Sequence, residues 1–228
     1  MTAYRFRRAR TIVVLCEGKT EMIAVEHFIR FRWEAEGLRS IALRPINLKG
    51  KLEDVFHNVV RFRKDPKAVA VFTLIDLYGM ERVLPKKESD LAVNVRTTSN
   101  WLRVDGAPPE MKDEFKTRAI RSFYHPHVSV HEVEAWLLAD GKCIGPNIEP
   151  LPNAEEIDFQ NPPKARVKRI LRKLRSRDDY REGIDAQIMF KRARFDVVYA
   201  SCHYFKVFYD DLKQVAQAAL DDAVSPER

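Results

Sequence analysis

The sequence predicts an α/β fold, in which a mostly parallel central sheet is flanked by helices and followed by a helical C-terminal part. Over the first third of the chain, short apolar runs alternate with segments of helical periodicity, and the connections are short. Such alternation is typical of β-α-β units with parallel strands and right-handed crossovers. The chain has 228 residues, 45% of them hydrophobic, which suffices for one domain, 1–228, with a substantial core.

Three apolar runs predict the strands. The run TIVVLC at 11–16 is short and β-branched, as in a strand that is buried on both faces. A second strand begins at Ile41 and is weakened by Pro45, and AVAVFTLI at 68–75 is the clearest central strand. The first helix follows Gly18 and ends at Gly37.

The rest of the chain is predicted mainly from helical spacing. A second helix is expected at 51–64, and the less regular stretch 78–124 is interpreted as an insertion or a lid with a helix near 90–102. A short strand at 127–131 and a helix at 132–140 come next. The part 161–228 is predicted to be helical, with a last helix at 203–220. Its first helix is expected to pack through one apolar face, formed by Val167, Ile170, Leu171 and Leu174.

Composition restricts the classes of function. The formal net charge of +7 favours anionic partners, nucleic acid first. The three cysteines, Cys16, Cys143 and Cys202, are too far apart to indicate a disulfide framework. No apolar run approaches the roughly 20 residues of a membrane helix, and the stretch 11–16 is too short for a signal peptide. We therefore expect a cytoplasmic protein without membrane association.

Carboxylates follow two of the predicted strands. Glu17 and Asp76 each come directly after a strand, and the working groups of open α/β sheets gather at the carboxyl ends of the strands. Carboxylate oxygens are the ligands that Mg²⁺ prefers. The alternative is that acids after strands stabilise helix N-termini, and it applies most directly to Glu21 and Glu132, which lie early in predicted helices.

A basic helix is the second candidate site. The segment 161–177 contains eight cations and no acid, so one face can pack while the others carry positive charge that suits phosphate contacts. The alternative is a solvated helix face. The candidate nucleic-acid-binding residues are Lys164, Arg166, Lys168, Arg169, Arg172 and Lys173.

Two other motifs are weaker. His127 and His131 are about 13 Å apart on a strand at ~3.3 Å per residue, so they are not expected to share a zinc ion. The segment EGKTE has one glycine and lacks the pattern of a Walker phosphate-binding loop, which argues against an ATPase.

Three segments resemble the signatures of a Toprim-like bacterial family known as domain of unknown function 4276. They are CEGKTE from Cys16, LIDLYG from Leu74 and HEVEAWLLAD from His131. The segments NPPK from Asn161 and CHYF from Cys202 also resemble later parts of that family, so the resemblance covers most of the chain. It implies a Toprim-like Rossmannoid fold, related to topoisomerases, primases and nucleases of the overcoming-lysogenization-defect type.

The resemblance also assigns site residues. In Toprim proteins a Glu follows the first strand and Asp-x-Asp follows the third, and Glu17 and Asp76 match the Glu and the first Asp. The second acid is missing, because Tyr78 stands in its place. Glu134 matches the acid of the Glu-x-Trp-Leu-Leu signature in related nucleases. Glu132 is the other candidate, but ~200° separates the two on a helix with ~3.6 residues per turn.

The resemblance therefore implies a phosphodiesterase that depends on Mg²⁺ (or Mn²⁺), a nuclease in bacterial defence. Glu17 and Asp76 would bind the metal with Glu134, Glu132 or Glu21, and Lys19 would stabilise charge in the transition state. DNA and RNA, including tRNA, stay open as substrates. An ATPase of the ABC or AAA type is an implied partner, and a homodimer is compatible. The alternative is a non-catalytic subunit of an ATPase complex that binds nucleic acid or protein.

Overall fold

The computed structural model describes residues 10–77, 91–130, 132–156, 161–175 and 180–224. Within them a five-stranded sheet has the order β2-β1-β3-β4, with β5 also pairing with β3, and every pairing is parallel. The strands are β1 (Arg10–Cys16), β2 (Ile41–Asn47), β3 (Ala68–Asp76), β4 (Tyr124–His125) and β5 (Val128–Ser129). The predicted α/β class with a parallel sheet is confirmed.

The central strand β1 is buried on both faces. Ile12 and Val14 belong to one hydrophobic cluster, whereas Val13 and Leu15 belong to a second cluster on the opposite face. Successive side chains of a strand point to opposite faces, so an uninterrupted apolar run can supply two cores at once. The sheet is therefore the middle layer of a three-layer structure.

One outer layer contains most of the helices. α1 (Lys19–Ala24), a π-helical turn (Val25–Ile29) and α2 (Arg30–Ala35) follow one another without a break, and Gly37 (φ 78°) ends the stretch. The other helices of this layer are α7 (Glu134–Ala139), α8 (Pro163–Arg175), α9 (Asp185–Arg192), α10 (Phe195–Ser201) and α11 (His203–Val224). They confirm the helical C-terminal part.

The opposite layer contains four α-helices in the described part of the chain. They are α3 (Asp54–Arg63), α4 (Leu91–Asn100) with a π-helical turn (Trp101–Asp105), α5 (Lys112–Phe115) and α6 (Arg118–Arg121). Within the stretch 78–124, interpreted as an insertion or a lid, Leu102, Phe115 and Ile120 are buried in the core of this layer. Residues 78–90 of that stretch lie outside the described residues.

Four local predictions need correction. The strand expected at 127–131 is limited to Val128–Ser129, and His131 lies outside the described residues. The helix expected from residue 132 begins at Glu134. Leu174 is 47% exposed instead of packed inward, and its side chain lies against Gly145.

The fourth correction concerns two helices that were missed, α9 and α10. The spacing of Ala186, Met189 and Phe190, which are all buried in α9, is helical, but it stands in a charged segment where it gives a weak signal.

The carboxylate of Asp211 connects α11 to the sheet through two histidines. His125 Nδ1 and His127 Nε2 lie 3.0 and 2.8 Å from the same oxygen of Asp211, and both rings stack on Phe72. Burial would raise the pKa of Asp211, but the hydrogen bonds and charges of the two histidines outweigh it and hold this pKa well below its usual range. Among the described helices, none is both long enough and apolar enough to cross a membrane.

Replacing Asp211 by Asn should destabilise the fold by about 1–2 kcal/mol at pH 7, because the acceptor remains while its charge is lost. A carboxylate with a lowered folded-state pKa stabilises above its unfolded pKa of about 3.9, and this contribution is lost as the pH falls towards the folded-state pKa. The difference in urea unfolding between Asp211→Asn and the parent should therefore shrink below about pH 4. Asp222→Asn, on the same helix, is the control. An equal loss at pH 7 and pH 3 would exclude this electrostatic role.

Candidate functional site

Two carboxylates meet at the carboxyl edge of the sheet. Cys16 of β1 pairs with Leu74 of β3, so Glu17 and Asp76 extend beyond the same edge. The backbone N–H of Asp76 donates a hydrogen bond to Glu17 Oε2 at 3.0 Å. The predicted placement of these two acids on adjacent parallel strands is confirmed.

Two further carboxylates, each in the first turn of a helix, lie at the same edge of the sheet. Glu21, in the first turn of α1, accepts the Gly18 N–H through Oε2 at 2.8 Å. A Cβ atom at residue 18 would lie 3.0 Å from that oxygen, so Gly18 allows the close approach. Glu134, the first residue of α7, is 2% exposed and accepts the Tyr180 hydroxyl through Oε1 at 2.9 Å. Trp136, two residues on, is packed inward as predicted.

These side chains line one cleft, with a volume of about 410 Å³. Its wall combines carboxylates, lysines and small or polar residues from several separate elements. The lining residues are Glu17, Gly18, Lys19, Thr20, Glu21, Asn47, Lys49, Gly50, Asp76, Glu134, Lys164 and Glu182. The structure thus brings together four of the five predicted acids, together with Lys19 and Lys164.

Burial and mutual repulsion disfavour negative charge on the clustered acids. Burial, followed by the charges of neighbouring carboxylates, raises the pKa of Asp76 well above its usual value and the pKa of Glu134 to about 8. Burial likewise raises the pKa of Glu21 to about 7, and it raises the pKa of Glu17 despite the hydrogen bond from Asp76. A cation in the cleft would relieve both penalties.

Glu132 is not among the residues that line the cleft. Its Oε2 atom accepts the backbone N–H of Lys164 at 2.7 Å, and Lys164 is the second residue of α8. The carboxylate thereby satisfies one of the N–H groups that a helix start leaves without an intrahelical acceptor. The structure therefore places the Glu132 carboxylate at the start of α8 and outside the described lining of the cleft, and its assignment to the metal site stays a prediction.

The basic helix α8 reaches the cleft only through its first turn. Lys164 forms an ion pair with Glu182. Burial would lower the pKa of Lys164, but this contact and the charges of Glu134 and Glu132 outweigh it and raise that pKa. Arg169 donates to the side chain of Asn161, 3.1 Å away. The other predicted cations of α8 do not line the cleft; they are Arg166, Lys168, Arg172 and Lys173.

Lys49 and Glu182 line the cleft and Tyr180 contacts Glu134 from outside its lining, although none of the three was predicted from the sequence. Lys49 follows β2, so the strand-end argument that was used for β1 and β3 would have found it. Tyr180 and Glu182 belong to the segment 180–184, which has no sequence pattern that would place it beside α7. It forms one wall of the cleft, and Gly183 abuts the Lys19 ammonium group.

The carboxylate oxygens of the cleft suit a hard cation, such as Mg²⁺, that keeps water in part of its coordination shell. In the described parts of the chain, no group of three or more His, Cys, Asp or Glu side chains is placed to hold an ion by itself. Mg²⁺ is usually bound by only one or two carboxylates, with water completing the shell. Asp76 Oδ1 is buried and has no hydrogen-bond donor among the described residues, as an oxygen reserved for a cation would be.

The fold and the cleft define an α/β protein with an acidic site at the carboxyl edge of a parallel sheet. The chain belongs to the family described as domain of unknown function (DUF4276), whose model matches residues 16–213. This range includes every described residue that lines the cleft. A search of curated proteins and a search of solved structures each gave no match.

Replacing Glu134 by Gln should stabilise the metal-free protein at alkaline pH. The folded-state pKa of about 8 exceeds the unfolded value of about 4.3, so ionisation of Glu134 costs folding free energy as the pH rises, and the cost is complete above about pH 8. Glutamine keeps an acceptor for Tyr180 without the charge.

In EDTA at pH 8.5, Glu134→Gln should therefore be more stable than the parent by roughly 2 kcal/mol or more, and the gain should disappear near pH 4. Urea unfolding measures this difference. The exposed Glu156→Gln substitution is the control and should have no effect at either pH. A Glu134→Gln protein that is less stable than the parent at pH 8.5 would contradict the repulsion argument.

Proposed function

We propose that the protein is a phosphodiesterase that depends on Mg²⁺ (or Mn²⁺) and cleaves DNA or RNA. The observation that carries the proposal is the cleft itself, where carboxylates from the end of β1 and from α1, β3 and α7 lie beside Lys19, Lys49 and Lys164. Carboxylates suit a divalent cation, and ammonium groups suit the negative charge of a phosphodiester. The raised pKa values of the acids add an electrostatic reason for cation binding.

Glu17 and Asp76 would hold the ion, with Glu21 beside them. When bound, a divalent cation supplies Lewis-acid polarisation of a phosphoryl oxygen. The Asp76 N–H orients Glu17 through Oε2, so the second oxygen of Glu17 is left for a ligand. Gly18 orients Glu21 in the same manner.

Glu134 is suited to carry a proton. In the metal-free cleft its pKa of about 8 keeps the carboxyl group largely protonated at neutral pH, and its Oε1 atom is engaged by the Tyr180 hydroxyl. A proton on Oε2 could then pass to the leaving oxygen, as general acid catalysis requires. Lys19, on the rim of the cleft, would stabilise charge on the reacting phosphate.

The wider role in this proposal comes from the resemblance of the motifs around Glu17, Asp76 and Glu134 to those of Toprim nucleases. It supports a nuclease that acts in bacterial defence together with an ATPase of the ABC or AAA type. The proposed substrate class is DNA or RNA, including tRNA, since the cleft presents groups that bind the phosphates of both.

A second candidate function is a non-catalytic subunit that binds nucleic acid or protein. Tyr78 replaces the second acid of the Toprim signature, and the described residues lack a group of three side chains placed to hold an ion. These two observations favour a binding role. Metal titration and cleavage assays separate it from the enzymatic proposal.

Calorimetric titration should detect Mg²⁺ or Mn²⁺ binding that strengthens from pH 6 to pH 8. The carboxyls must lose their protons to bind the ion, and the pKa of Glu21 is about 7. The affinity should rise about tenfold per pH unit wherever one proton is released. Asp76→Asn should abolish binding, whereas the exposed Glu156→Gln should not change it. Binding that does not depend on pH would place the ion elsewhere.

Mixed DNA and RNA incubated with the protein and Mn²⁺ should be cleaved. Glu17→Gln and Asp76→Asn should lower the cleavage rate at least ~100-fold, because the metal is expected to contribute several kcal/mol of transition-state stabilisation. Glu156→Gln is again the control. Intact substrates despite confirmed metal binding would favour the non-catalytic subunit, and undiminished cleavage by Glu17→Gln would refute the site.

Replacing both Lys168 and Lys173 of α8 by Ala should weaken nucleic-acid binding equally for all sequences, because phosphate contacts carry no base information. The salt dependence should decrease by about one unit for each phosphate that the variant no longer binds. The control is the double replacement of Lys64 and Lys67, which precede β3 at the opposite edge of the sheet. The affinity is measured by an anisotropy titration. An unchanged affinity of the α8 variant would indicate that these lysines only form a solvated helix face.

A further inference from the structure

We infer that Lys49 is a phosphate-binding residue of the cleft, and that the cleft binds the sugar-phosphate backbone without reading the bases. The inference rests on the proposed function, because the ligand is taken to be nucleic acid. Lys49 lies in the loop between β2 and α3 and lines the cleft. No sequence motif pointed to it.

The backbone of Lys49 adopts an unusual conformation. Its φ angle is 55°, in the left-handed region that glycine or asparagine usually occupies. Asn47 stabilises the turn, since its Oδ1 atom accepts the Lys49 N–H at 2.7 Å. A lysine is a costly choice for such a backbone, so its side chain requires a reason beyond the turn itself.

The loop is tied directly to the metal side of the cleft. The Gly50 N–H donates to the Glu17 carbonyl at 2.9 Å, and the Leu48 N–H donates to the Cys16 carbonyl at 2.8 Å. Lys49 is thus held beside the strand end that presents the Glu17 carboxylate. These two hydrogen bonds fix the backbone of Lys49 relative to the end of β1.

The ammonium group of Lys49 remains available for a ligand. In the described parts of the chain, neither Lys19 nor Lys49 has an ion-pair partner, although five carboxylates line the same cleft. Lys164, in contrast, is paired with Glu182. The ammonium groups of Lys19, at the start of α1, and Lys49, in the loop after β2, can contact the phosphates on either side of the one that meets the metal site.

The described lining of the cleft provides no stacking surface for bases. None of its described lining residues has an aromatic or a large aliphatic side chain. Sites that bind nucleotides or other small molecules are mostly apolar, and proteins that hold single-stranded bases stack them on aromatic rings. Without a stacking surface, such a lining favours contacts to phosphate and sugar over contacts to bases. The substrate class is therefore a polymer backbone that is recognised independently of its bases.

The test uses fluorescence anisotropy with single-stranded oligonucleotides of one base type each, in Ca²⁺ and in EDTA. The parent protein should bind the homopolymers with affinities within about threefold of one another. Lys49→Gly should weaken all of them by about tenfold, the effect of one hydrogen bond to a charged group. The salt slope should fall by about 0.7, the value that corresponds to one phosphate of a single strand.

Two further variants separate binding from folding. Lys49→Gly suits the positive φ angle, so its unfolding temperature should equal or exceed that of the parent while its affinity falls. Lys49→Arg keeps the charge and should keep the affinity. Lys51→Ala, two residues along the same loop and exposed, is the matched control and should bind as the parent does.

The outcomes distinguish this inference from the proposed function. Unchanged affinity of Lys49→Gly, or a preference of about tenfold or more for one base, would overturn the inference even if the protein cleaves nucleic acid. A second outcome is that Lys49→Gly loses affinity for every homopolymer while the parent protein cleaves no nucleic acid in Mg²⁺ or Mn²⁺. That outcome would support the inference and contradict the enzymatic proposal.

Discussion

The parallel pairing of β1 with β3 is the constraint on which the rest of the site depends. Its register places Cys16 opposite Leu74, so Glu17 and Asp76 leave the same edge of the sheet, and the Asp76 N–H donates to Glu17. A shift of one residue would turn one of these side chains towards a hydrophobic layer, because successive side chains alternate between faces. The two apolar clusters on either side of β1 hold that register.

The fold brings several carboxylates together at a cost in stability. Burial and mutual repulsion raise the pKa of Asp76, Glu21 and Glu134, so in their ionised forms these groups weaken the metal-free protein. Hydrogen bonds from Gly18 and Tyr180 orient the acids without neutralising them. A packed core can carry such a cost, and clusters of this kind occur where function requires them.

Local patterns predicted the part of the site that lies at strand ends. Glu17 and Asp76 follow buried apolar runs, and the edge at which such runs end follows from parallel topology alone. The helical C-terminal part was also predictable, although the charged segment around α9 hid two helices. Tyr180 and its contact with Glu134 were not predictable, because 46 residues separate them and only tertiary packing brings them together. Glu132 shows that a neighbouring acid in the same motif can contact a different element, because its carboxylate accepts a hydrogen bond at the start of α8.

The central claim is that the cleft binds a divalent cation through Glu17 and Asp76. A crystal of the protein soaked in Mn²⁺, with anomalous diffraction recorded near the manganese edge, tests it most directly. The account predicts an anomalous peak in the cleft, with carboxylate oxygens of Glu17 and Asp76 about 2.1 Å from the ion and water in the remaining positions. A cleft without an anomalous peak at saturating Mn²⁺, or a peak bound only by other residues, would contradict it.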